Sequence, residues 1–118
     1  MPAIANLDLT YKITILNFYT FMKLDIQSIH FDADRKLIEY IEKKLNKLET
    51  FYDNILSGEV FLKVTNQSNE NKLVEVKLNV LNQSIFVKEN SVTFEAAVDM
   101  AENTLKGQLM KYKERMRA

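Results

Sequence analysis

From Leu7 to Phe21 the odd positions read Leu7, Leu9, Tyr11, Ile13, Ile15, Asn17, Tyr19 and Phe21, against mainly polar even positions up to Thr14. This two-residue period is that of a strand. A second alternation, Lys23-Leu24-Asp25-Ile26-Gln27-Ser28-Ile29, predicts the first strand of a domain that begins at Met22. The period then changes: Leu37, Ile38, Ile41, Leu45, Leu48 and Tyr52 recur at intervals of three and four, predicting a helix to about Tyr52. Asp32 and Asp34 offer capping oxygens at its start. After Ser57-Gly58, three strands follow: Glu59 to Thr65, Leu73 to Val80 and Ser84 to Lys88. Val74, Val76, Leu78 and Val80, interleaved with Glu75, Lys77 and Asn79, describe a sheet with one covered and one wet face. The short Leu81-Asn82-Gln83 link makes the last two strands an antiparallel hairpin. A final helix runs from the cap candidate Thr93 to about Met116, with Phe94, Ala97, Val98, Ala101, Leu105, Leu109, Tyr112 and Met116 on one face.

The order is therefore β-α-β-β-β-α. Two helices with one apolar stripe each fit the covered face of a four-stranded sheet, a two-layer α+β domain over residues 22–118. Residues 1–21 have two readings. They form an extra strand, or they are a leader, from an upstream start codon or from cloning, that precedes a natural start at Met22. Asp8, Thr10, Lys12, Thr14 and Asn17 interrupt their apolar run and no basic segment leads it, so neither a signal peptide nor a membrane span is expected.

Composition narrows the chemistry. At 118 residues, 47% hydrophobic and 27% charged, the chain suits one folded domain. The absence of cysteine removes disulfides, thiolate nucleophiles and thiolate metal sites, and makes the cytoplasm the expected compartment. His30 is the only histidine and fits a structural role at a strand end. Gly58 and Gly107 are the only glycines, too few for a phosphate-binding loop. Asp32 and Asp34 are explained by capping. No enzyme, metal, cofactor or small-molecule substrate is expected.

Sixteen basic residues balance sixteen acidic ones, so nucleic-acid binding would need uneven placement. At about 100° per residue, Lys36, Lys43 and Lys47 share one flank of the first helix, with Lys44 nearer the core edge on that side. Glu39, Glu42 and Glu49 take the other flank. The last helix divides along its length: Glu95, Asp99 and Glu102 come first, then Lys106, Lys111, Lys113, Arg115 and Arg117, relieved only by Glu114. A cationic tip of this kind suits phosphate contacts, although the helix macrodipole also favours acid at a start and base at an end. The wet sheet face is a rival site, where Phe61 and Phe86 accompany Lys63, Lys77 and Lys88. Coverage by the N-terminal strand or by a partner is the preferred explanation of that face, because no Lys/Arg-Gly-aromatic signature accompanies the aromatics.

Three segments in order carry a family likeness. Thr93-Phe94-Glu95-Ala96-Ala97-Val98-Asp99 is similar to an Asp-Met-Tyr-x-Ala-Ile-Asp box, and Gln108-Leu109-Met110-Lys111-Tyr112-Lys113-Glu114-Arg115 to an Arg-Gln-Leu-x-Lys-x-Lys-x-Lys ending. Lys44-Leu45-Asn46-Lys47-Leu48-Glu49, followed by Phe51-Tyr52-Asp53, matches a Lys-hydrophobic-x-Lys-Leu-Glu helix and its aromatic-aspartate sequel. On these residues Met22 to Ala118 resembles the short ribosome hibernation promoting factors and the related ribosome-associated inhibitor, whose fold is similar to double-stranded RNA-binding domains. The resemblance implies binding to the small ribosomal subunit, in the messenger and transfer-RNA channel, through ribosomal RNA, with translation blocked in stationary phase or stress. It implies Lys44 and Lys47 of the first helix and Lys111, Lys113 and Arg115 of the last as RNA contacts; Lys43, Lys106 and Arg117 join them from the helical wheel. No C-terminal dimerisation domain of the long members is expected. Thr93, Glu95 and Gly107 depart from the aspartate, tyrosine and arginine of the pattern, and Gly107 removes a cation. The alternative is a protein-interaction module that self-associates through its sheet face or N-terminal strand.

Overall fold

The computed structural model describes residues 22–52 and 54–117. The extra strand or leader expected over residues 1–21 lies outside these described residues. Strand β1, Lys23–Ser28, is followed by helix α1, Arg35–Asn46, and a 3-10 turn, Lys47–Thr50. Strands β2, Ser57–Val64, β3, Lys72–Val80, and β4, Gln83–Ser91, lead into helix α2, Phe94–Arg117. The expected β-α-β-β-β-α order and the two-layer α+β architecture are present.

The sheet order is β1-β2-β3-β4. β1 pairs with β2 in parallel, from Lys23↔Ser57 to Ser28↔Leu62, so α1 is the crossover of a β-α-β unit. β2, β3 and β4 are antiparallel, and Val80↔Gln83 closes the last hairpin around Leu81-Asn82. Asn82 there has φ 71°, a left-handed conformation that asparagine tolerates better than most residues.

Caps start both helices as the sequence predicts. Asp34 Oδ1 accepts the Leu37 amide hydrogen bond at 2.8 Å, and Thr93 Oγ1 accepts that of Ala96 at 3.0 Å. Each satisfies an amide that has no carbonyl partner within the helix, a contribution of roughly 1 kcal/mol. The first helix is shorter than its apolar period suggests, because the chain tightens to 3-10 geometry after Asn46. Leu48 nevertheless remains fully buried, so the period reports the facing of side chains and not the hydrogen-bond pattern.

Leu37, Ile41 and Leu45 of α1 and Val98, Ala101, Leu105 and Leu109 of α2 pack onto Val60, Leu62, Val74, Val76 and Leu78 of the sheet. Full burial of each large aliphatic side chain is worth about 1.5–3 kcal/mol. Gly58 lies in this layer where a larger residue has to displace its neighbours: an added Cβ would come within 2.8 Å of Leu24 Cδ1 and 3.1 Å of Leu78 Cδ2.

The relative direction of the helices positions everything that follows. Phe31 stacks on Phe94 at 5.3 Å, Tyr40 bonds Asp99, and Tyr52 meets Tyr112 edge-on at 5.5 Å. Contacts that advance together along both segments mean that α1 and α2 run side by side in the same direction. Their C-terminal ends therefore share one end of the domain.

Candidate RNA interface at the shared helix ends

The contacts between the helices begin with a polar clamp. Tyr40 donates its hydroxyl hydrogen bond to Asp99 Oδ1 at 2.5 Å, and the Lys44 ammonium lies 3.3 Å from the same oxygen and 4.0 Å from Glu102 Oε1. Lys44 also sits 5.6 Å from the Tyr40 ring centroid. Its side chain is only 26% exposed. The hydrogen bond to Asp99 and that carboxylate's charge raise the lysine's pKa, and the separate hydrogen bond from the Tyr40 hydroxyl to Asp99 is the main cause of the raised Tyr40 pKa. Lys44 is thus turned inward onto carboxylates of its own domain.

Lys43 and Lys47 lie within about 60° of Tyr40 on the α1 wheel, on the flank that meets α2. Both are exposed. On α2, Lys106, Lys113 and Arg117 continue the flank marked by Asp99 and Glu102, within about 60°. Lys106 and Arg117 are exposed, whereas Lys113 is half-buried: it donates to the Phe51 carbonyl at 3.0 Å, over the Phe51 and Tyr52 rings at 5.6 and 6.0 Å. Lys111 and Arg115 lie about 120° and 160° round from Asp99, on the side away from α1. Arg115 reaches Gln83 Oε1 at 3.5 Å beside the turn at the tip of the β3–β4 hairpin.

Of the residues expected as RNA contacts, Lys44 is therefore turned inward, Lys43 stands beside it at the level of Asp99 and Glu102, and the others lie farther toward the C-terminal end of α2, on two flanks. Lys43, Lys47, Lys106, Lys113 and Arg117 border the groove between the helices; Lys111 and Arg115 face the hairpin side. Among the described residues, ion pairs engage Arg35, Lys44 and Lys77, and none of these seven. Glu102 and Asp99 stop about one turn short of Lys106, so the groove passes from a carboxylate-rich half to a cationic half.

The rival sheet face has a different balance. Phe86 is 54% exposed and Phe61 half-buried, but the register sets Glu59 beside Lys77 and Glu75 beside Lys88. Lys77 lies 3.9 Å from Glu59. Cross-strand pairing leaves little uncompensated charge there. Among the described residues no group of three histidine, cysteine, aspartate or glutamate side chains is placed to hold a metal ion, and no helix is long and apolar enough to cross a membrane.

The family described as "Sigma 54 modulation protein / S30EA ribosomal protein" matches residues 24–117. The chain belongs to this family. Relatives of this S30EA domain include the ribosome hibernation promotion factor of Deinococcus radiodurans, 38% identical over 79 residues, covering 65% of this chain and 41% of that protein. The factor of the same name from Staphylococcus aureus is 31% identical over 77 residues, covering 65% and 40%. The S30EA chain thus spans about two fifths of the length of these curated relatives. Solved structures share the fold: a ribosomal subunit interface protein from Coxiella burnetii has TM-score 0.72 at 24% identity, covering 79% of this chain and 99% of that one. The N-terminal domain of Protein Y from Thermus thermophilus has TM-score 0.65 at 22% identity, covering 77% and 97%.

Two functional features escape the sequence pattern. The capture of Lys44 by Asp99 joins residues 55 apart in the chain, and only the parallel packing of the helices brings them together. The tie from the Tyr112 hydroxyl to the Leu81 carbonyl, at 2.6 Å, depends likewise on where the helix crosses the hairpin.

Proposed function

We propose that this domain binds the small ribosomal subunit through ribosomal RNA, within the channel used by messenger and transfer RNA, and keeps ribosomes idle in stationary phase or stress. The observation that carries this reading is the gathering of Lys43, Lys47, Lys106, Lys111, Lys113, Arg115 and Arg117, none in an ion pair among the described residues, at the common end of two parallel helices. Family membership supplies the class of partner, since relatives carry the name ribosome hibernation promotion factor.

Such a surface works without a chemical step. Each phosphate it neutralises releases condensed counterions, which drives association without reading base sequence. Recognition then depends on matching the spacing of the two flanks to the shape of a folded RNA. A domain wedged in the channel blocks messenger and transfer RNA by occupying their volume. Lys44 serves indirectly in this scheme, holding α1 against α2 at Asp99 so that the exposed Lys43 and Lys47 border the groove between the helices. The site of action is cytoplasmic.

Stationary-phase lysate resolved on a sucrose gradient at low salt provides the test. The protein travels with small subunits or whole ribosomes under this proposal; a protein that stays at the top while ribosomes are present refutes it. The exposure of Phe86 favours one second reading, self-association through the sheet face. Phe61→Ser with Phe86→Ser disturbs self-association under that reading and leaves ribosome binding intact under the first.

A further inference from the structure

The cationic end of the domain also carries an apolar point. Leu81, at the tip of the β3–β4 hairpin, is 53% exposed, and Met116 is 50% exposed. Met116 continues the stripe Leu105, Leu109 and Tyr112, which is buried under the sheet until the helix passes the sheet's end. Exposed leucines are common, but this one is held. The Tyr112 hydroxyl, on a ring that is itself buried, donates to the Leu81 carbonyl at 2.6 Å. Arg115 reaches Gln83 on the other side of the two-residue loop, and Asn82 fixes the turn with its left-handed backbone.

We propose that the tip of this hairpin is a second element of the RNA interface, with Leu81 packing against an unstacked base or a ribose face while Lys111 and Arg115 hold the flanking phosphates. This rests on the ribosomal reading above and deepens it. The charge around the tip selects the partner: Lys111, Lys113, Arg115 and Arg117 cluster within seven residues of α2, with Glu114 the one acidic side chain among them. A polyanion is attracted to that rim, yet its phosphates gain nothing from an aliphatic side chain. Bases and riboses are the parts of a polyanionic nucleic acid whose faces are apolar enough to meet one. Tyr112 acts here as a positioning residue, because its hydroxyl restrains the loop and does not itself reach the surface.

The test uses the full chain, purified small ribosomal subunits and a titration of potassium chloride. Leu81→Ser removes apolar contact without altering charge, so affinity falls about fivefold at every salt concentration, in line with partial loss of a leucine's burial, and the slope of log K against log salt stays that of the parent. Lys111→Glu behaves differently, flattening the slope. Tyr112→Phe, which keeps the ring packing, gives a smaller loss than Leu81→Ser with the slope again unchanged. Parent-like affinity for Leu81→Ser, in a chain whose melting temperature and salt slope match the parent's, overturns the inference and leaves the ribosomal proposal standing. Failure of the parent chain itself to bind small subunits refutes both, and a Leu81→Ser chain that binds subunits normally but no longer captures another protein assigns the tip to a protein partner and also overturns the inference.

Discussion

Lys44 and Lys47 stand three residues apart, on either side of the end of α1, yet their surroundings give them different work. Lys44 is bonded to Asp99, while Lys47 points to solvent. Replacing Lys44 with methionine should lower the melting temperature and leave the salt slope of ribosome binding unchanged; Lys47→Glu should do the reverse, which paired melting and binding curves would reveal. The clamp also sets a pH response. Lys44, Tyr40 and Tyr112 all have raised pKa values in the folded chain, Tyr112 through burial first and then its neighbour Tyr52. A raised folded value means that the group's stabilising contribution is complete below its unfolded pKa and disappears as pH rises through the folded one. Urea-unfolding stability should therefore show no loss from these groups between pH 7 and 9, by the reference values of about 10 for both side chains, and should fall in more alkaline solution. A Tyr40→Phe, Lys44→Met chain should lose less over that alkaline range, and an equal loss would disconnect the clamp from it. At Gly58, a valine has to displace Leu24 and Leu78, a strain on the order of 1–3 kcal/mol that chemical denaturation can measure.

At the scale of the elements, hydropathy alternation and helical periodicity specify faces well and neighbours poorly. The alternation at Leu24 and Ile26 marks a strand, but only the crossover formed by α1 makes it parallel to β2. Periodicity through Leu48 and Tyr52 predicts core-facing side chains correctly while overrunning the end of the α-helix at Asn46. The basic halves of the two helices are legible in the sequence; their meeting at one end is not, because it depends on the parallel packing of Phe31 on Phe94 and Tyr52 on Tyr112. The division of the last helix's cations onto two flanks follows from the helical wheel alone, whereas the inward turn of Lys44 depends on Asp99 of the neighbouring helix. Gly107 offers a test within α2. No atom lies within 4 Å of where its Cβ would be, so Gly107→Arg fits without displacement. It should stabilise the chain by about 0.5–1 kcal/mol through helix propensity and steepen the salt dependence of RNA binding. A destabilised product would contradict the open surroundings of Gly107, and a slope no steeper than the parent's would place that turn outside the proposed RNA interface.

For the molecule as a whole, a formal charge of zero conceals a strong polarity. Acidic and basic side chains pair at Glu59 and Lys77 on the sheet face and at Asp99, Glu102 and Lys44 in the interhelical groove, while the densest run of cations outside any ion pair, Lys111, Lys113, Arg115 and Arg117, stands at the end of α2. Shape and charge thus converge on one surface, and the hairpin tip adds an apolar point to it. The most direct measurement is the affinity of the full chain for purified small ribosomal subunits over a range of salt, repeated with Lys111→Glu and Lys113→Glu combined. Contact of five to seven cations with phosphates predicts a straight line of log K against log salt with slope roughly −4 to −6, made shallower by about 2 in the double variant. A flat line, or one that the double variant leaves unaltered, would contradict the assignment of RNA binding to the shared end of the helices.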